Sequence, residues 1–101
     1  MGETRTVKLR YTRLAAAELD DILTFIAEQS PGGARRVHQR ILKITQLLLR
    51  YPGSGQQTSN RRLRRISAAP YPYVIFYEMT GDEIVIIGIR HGARDPRSMP
   101  E

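Results

Sequence analysis

Tyr71-Pro72-Tyr73-Val74-Ile75-Phe76-Tyr77-Glu78, then Met79-Thr80-Gly81-Asp82, then Glu83-Ile84-Val85-Ile86-Ile87-Gly88-Ile89-Arg90-His91 is the stretch on which the fold turns. Two β-branched and aromatic runs flank a glycine-containing connection, the pattern of an antiparallel hairpin. Both runs are apolar at successive positions, whereas a strand with one wet face alternates. Such strands are buried on two sides, at least in part, so each face of their sheet needs a cover. A helix hairpin upstream can supply one. The other face is left for strand-end residues, a second copy of the chain or another protein.

Upstream, Thr6 to Tyr11 sets Val7, Leu9 and Tyr11 against Lys8 and Arg10, the period of a half-buried strand. Thr12 suits an N-cap, and Ala15, Leu19, Ile22 and Ile26 then recur at helical spacing to about Glu28. Ser30-Pro31 joins a capping hydroxyl to a proline at the first helical position, where its missing N–H costs nothing. Ala34, Val37, Ile41, Ile44 and Leu48 form the stripe of a second helix that stops at Pro52-Gly53. Two helices across so short a turn pack antiparallel. Gly53 to Asn60 carries no apolar side chain and reads as an exposed loop. Arg61, Arg62, Arg64 and Arg65 follow at an exposed strand start, and the tail from about Gly92 reads as irregular. The order strand, helix pair, three antiparallel strands is an α+β arrangement, with the helix hairpin against one side of the sheet and a single domain over 1–101.

A chain of 101 residues has room for one core. Its 41% hydrophobic and 26% charged residues, with 8 glycines and 6 prolines, sit near the globular average and exclude a disordered or fibrous chain. The absence of cysteine excludes disulfides and thiolate metal sites, and leaves the cytoplasm as the default compartment. No window approaches the roughly 20 apolar residues of a membrane span, and the N-terminus has no apolar signal core. Lys and Arg number 16 against 10 Asp and Glu, a net charge of +6, with lysine only at Lys8 and Lys43. Arginine favours bidentate contacts to carboxylate or phosphate, so the surface suits an acidic protein or a nucleic acid. Gly32-Gly33 and Gly53-Ser54-Gly55 lack the lysine and hydroxyl spacing of a phosphate loop, and no cofactor or metal is expected. Met79 and Met99 read as gap fillers.

The Tyr71 to Glu78 strand and the run from Ile84 through His91-Gly92-Ala93-Arg94-Asp95 resemble the C-terminal half of a ParE-type toxin of the RelE/ParE superfamily. Ala16-Ala17-Glu18-Leu19-Asp20-Asp21-Ile22, Phe25-Ile26, Ser30-Pro31, Leu48 and Tyr51-Pro52-Gly53 agree with its N-terminal half. The resemblance spans nearly the whole chain. It implies the toxin of a type II toxin-antitoxin module, neutralised by a ParD-like antitoxin whose acidic C-terminal segment wraps it, in a hetero-oligomer. It also implies a choice of target. The RelE branch cleaves messenger RNA on the ribosome with basic residues and commonly a late tyrosine, whereas the ParE branch is associated with inhibition of DNA gyrase. No tyrosine follows Tyr77, which leans to ParE, to gyrase as the partner, and away from direct nucleic-acid binding as the main role.

Metal-free RNA cleavage needs a base, an acid and positive charge at the phosphorus. Arg64, Arg90, His91 and Arg94 are the set that would serve if the chain were a ribonuclease. The reading preferred for His91 is a hydrogen bond that caps its strand, and for Arg94 a pairing with Asp95 or Glu78. Neighbouring arginines also make an imidazole a weaker acid-base group. The expected partner-binding set is Arg61, Arg62, Arg64, Arg65, Tyr73, Arg90, Arg94 and Arg97, because four arginines within five residues exceed what edge protection needs. His38 faces outward and is assigned no role.

Overall fold

The structure is a computed structural model that describes residues 7–92. Strand β1 (Lys8–Tyr11) leads into helix α1 (Arg13–Ala27) and helix α2 (Pro31–Arg50). A 3-10 turn at Pro52–Ser54 is followed by β2 (Gln56–Gln57), β3 (Arg64–Ser67), β4 (Tyr73–Thr80) and β5 (Glu83–His91). Both helices begin where the sequence places their caps. The Thr12 hydroxyl accepts from the Ala15 N–H at 3.0 Å and the Ser30 hydroxyl from the Gly33 N–H at 2.9 Å, each satisfying an N–H that the first turn leaves without a partner.

The strands form one sheet in the order β1-β5-β4-β3-β2, with β1 parallel to β5 and the other pairs antiparallel. Gly81 occupies the first place of the β4–β5 turn with φ 58°, the positive φ that a two-residue II′ connection asks of that position. The α2 stripe of Val37, Ile41, Ile44 and Leu48 meets Ile75, Tyr77, Ile84, Ile86 and Ile89 in the core, and Leu19, Ile22 and Ile26 of α1 pack at its margin. The α+β arrangement expected from the sequence is the one observed.

Three expectations change. The Gly53 to Asn60 stretch is not simply an exposed loop, for Gly55 is buried and Gln56 and Gln57 pair with Arg65 and Arg64 as an edge strand. The residues that pair there are all polar, so no apolar pattern announces the strand. The far face of the sheet is not left bare either: Phe76 is 6 % and Val85 4 % exposed, and residues 58–63 lie over the Phe76 side of it. Met79 fills no gap, since it stands exposed where β4 runs out toward its turn. Among the described residues no helix is long and apolar enough to cross a membrane. Thr6 and the tail beyond Gly92, with Arg94, Asp95, Arg97 and Met99, lie outside the described residues.

Candidate functional site

A cavity of about 230 Å³ opens on the far face of the sheet. Phe76, Ile87 and Gly88 form its floor, Thr58, Ser59, Asn60 and Leu63 its wall, and Arg90 brings positive charge to it. The wall is held by its own hydrogen bonds. The Thr58 hydroxyl donates to the Leu63 carbonyl, the Asn60 carboxamide oxygen accepts from the Arg62 N–H, and the Thr58 N–H donates to Leu63 O. Arg61 and Arg62 stand exposed on this same segment.

A β-bulge aims Arg90. Phe76 pairs with Gly88 and Tyr77 with Ile86, so Ile87 is an extra residue and the alternation of β5 reverses there. Ile84 and Ile86 before the bulge and Ile89 after it all reach the helix-side core, while Gly88 and Arg90 turn to the far face. Glu18 of α1 fixes this geometry from the side. β1 pairs only as far as Ile86, and beyond it the Glu18 carboxylate accepts from the Ile89 N–H at 2.9 Å and from Arg90 Nε at 3.2 Å. One carboxylate thus replaces a missing stretch of edge strand and pins the arginine. Sequence reasoning missed Glu18; its only signal was a carboxylate on a face of α1 off the apolar stripe.

The arginine cluster is divided by the pleat. Arg64 lies opposite Tyr77 on the helix side, where its Nη1 donates to Gly55 O at 2.8 Å and Gly53 O at 3.4 Å, so this guanidinium holds the turn before β2. Arg65 lies opposite Phe76 and points to the other face, within 3.5 Å of Gln56 Oε1. Tyr73 and His91 are cross-strand partners on the helix side and meet edge to face, with ring centroids 5.6 Å apart. The expected set is therefore brought together only in part. Arg90 lines the cavity, Arg61 and Arg62 stand on the segment that walls it, and Arg65 shares its face of the sheet. Arg64, Tyr73 and His91 serve the opposite side.

Apart from Met79 near the end of β4 and Tyr51 just after α2, the large apolar side chains left in solvent among the described residues are on the helices. Phe25 is 62 % exposed, and Leu14 and Leu42 are exposed with it. A shallow groove of about 410 Å³ between the helices is lined by Leu19, Leu23 and Leu42, with Tyr11 and His38 at its sides. Among the described residues no group of histidine, aspartate or glutamate side chains is arranged to hold a metal ion.

The profile of the family described as ParE toxin of type II toxin-antitoxin system, parDE, matches residues 9–96. The chain is 32% identical to Y4kP of Sinorhizobium fredii over 84 residues, covering 83% of this chain and 86% of that protein. It is 34% identical to Toxin RelE2 of Caulobacter vibrioides over 84 residues, covering 83% and 93%. Among solved structures, the chromosomal ParDE toxin-antitoxin system of P. aeruginosa contains a chain that superposes with a TM-score of 0.73 at 25% identity, covering 87% of this chain and 98% of that one. With its helix hairpin, five-stranded sheet and match over residues 9–96, the chain belongs to the ParE toxins of type II toxin-antitoxin systems, within the RelE/ParE superfamily.

Proposed function

We propose that this toxin acts by binding and inhibiting DNA gyrase, without chemistry of its own, and is silenced by a cognate antitoxin with an acidic C-terminal segment. The observation that carries the non-enzymatic reading is the division of Arg64, Arg90 and His91 between the two faces of the sheet. An RNA-cleaving centre must gather base, acid and charge around one phosphorus. Here strand alternation sends His91 away from Arg90, and Arg64 is engaged with backbone carbonyls. The ParE profile and the ParDE structure support the same side. An antitoxin fits both surfaces left open: Arg61 and Arg62 beside the cavity for carboxylates, and Phe25, Leu14 and the inter-helix groove for apolar side chains.

Purified gyrase tests the target. Supercoiling is expected to fall with added toxin and to recover when antitoxin is supplied; undiminished supercoiling at saturating toxin sinks the proposal. The ribonuclease reading has one observation in its favour, the 34% identity to a protein named RelE2. Under that reading, primer extension after toxin induction shows new message ends within codons, and under ours it shows none.

A further inference from the structure

Helix α2 separates charge in a way that neither the fold nor the gyrase reading requires. Its 20 residues include Arg35, Arg36, Arg40, Lys43 and Arg50 and no aspartate or glutamate. At about 100° per residue, Arg35, Arg36, Gln39, Lys43, Gln46 and Arg50 fall within an arc about 100° wide, opposite the stripe that enters the core. All six are exposed. The acidic residues of α1 do not neutralise them: the ion pairs formed among the described residues are Arg10–Glu83 and Arg90–Glu18, and neither involves α2. Only Arg40, beside the arc, is tied down, with its Nε donating to the Ala69 carbonyl at 2.8 Å.

From this face we propose an accessory binding surface for the phosphate backbone of duplex DNA. Four cations over about 22 Å of helix meet a polymer that carries one charge per about 1.7 Å of axis, so complementarity needs no induced change. The residues between the cations are the amides Gln39 and Gln46, which donate to phosphate oxygens as readily as to water. An acidic protein partner would want apolar anchors at the centre of its interface, and the centre of this arc has none, Leu42 and Leu47 lying at its margins. B-form DNA is the better fit of the two duplexes, because its major groove, about 12 Å wide, admits a helix, whereas the A-form groove of RNA is too narrow. The surface lies across the molecule from the Arg90 cavity and does not depend on the identity of the toxin's target.

The test is fluorescence anisotropy of the full chain with a labelled mixed-sequence DNA duplex of about 20 base pairs, across a salt series. The expected slope of log K against log salt is about −3, from three to four phosphate contacts. Arg35→Gln, Arg36→Gln and Lys43→Gln together should weaken binding at least about 30-fold at about 50 mM salt and bring the slope close to −1, with the thermal midpoint unchanged. Lys8→Gln with Arg13→Gln, which removes charge elsewhere, should change affinity less than about threefold. Four results overturn the proposal: no binding at low salt, an unaltered slope in the α2 variant, equal losses in the two variants, or duplex RNA or polyglutamate bound as tightly as the DNA.

Discussion

Tyr77 is fully buried between the sheet and the turn after α2. Its hydroxyl donates to the Pro52 carbonyl at 2.7 Å and accepts from the Gly55 N–H at 2.8 Å. Gly55 is required beneath it, since a Cβ there would come within 2.6 Å of the hydroxyl and 2.8 Å of the Arg65 carbonyl. Burial pushes the Tyr77 pKa above the ordinary 10.0, against the smaller opposing effects of the Gly55 hydrogen bond and the Arg64 charge; burial moves Tyr11 the same way. The unfolded chain therefore releases these protons near pH 10 while the folded chain keeps them, so stability is complete below pH 10 and falls as pH rises beyond it. Tyr77→Phe leaves Pro52 and Gly55 without their partner and should cost about 1–3 kcal/mol at neutral pH. It should also make the alkaline decline shallower, which urea melts at about pH 7 and about pH 10.5 will read. In the sequence Tyr77 is one of three tyrosines in a strand, and nothing there marks it as the one whose hydroxyl closes a loop.

At the scale of elements, most of the architecture is written in short signals. Thr12 and Ser30 start the helices, the 3.6-residue stripes orient them, and Gly81 turns the hairpin. The strand edge is another matter. β1 stops short of covering β5, and Glu18 reaches from α1 to finish the work. Glu18→Ala would strand the Ile89 N–H and release Arg90 from its ion pair. The pair is about a quarter exposed at each partner and screened accordingly, so the unmet N–H should dominate a loss of about 1–3 kcal/mol. Calorimetry should register a fall of about 4–8 °C in Tm for each kcal/mol, a domain of this size having that sensitivity. Such a contact is 71 residues distant in sequence, and no local pattern encodes it.

For the whole molecule, the basicity seen in the composition resolves into surfaces with different neighbours: Arg61, Arg62, Arg65 and Arg90 about the far face of the sheet, and the outer arc of α2 behind the helices. If the far face receives the acidic segment of an antitoxin, Arg61→Glu with Arg62→Glu should weaken the complex at least about tenfold and reduce its salt dependence, as measured by calorimetric titration. Both residues are exposed, so the fold should tolerate the change. The sequence by itself determined the class of fold, the helix starts and the family, because these rest on local periodicity, caps and turns. It also determined that the hairpin strands are buried on both faces. Only the tertiary structure decided what buries the second face, and on which side each arginine stands. One extra residue at Ile87 reverses the alternation of β5, and every side chain beyond it, Arg90 and His91 among them, changes face.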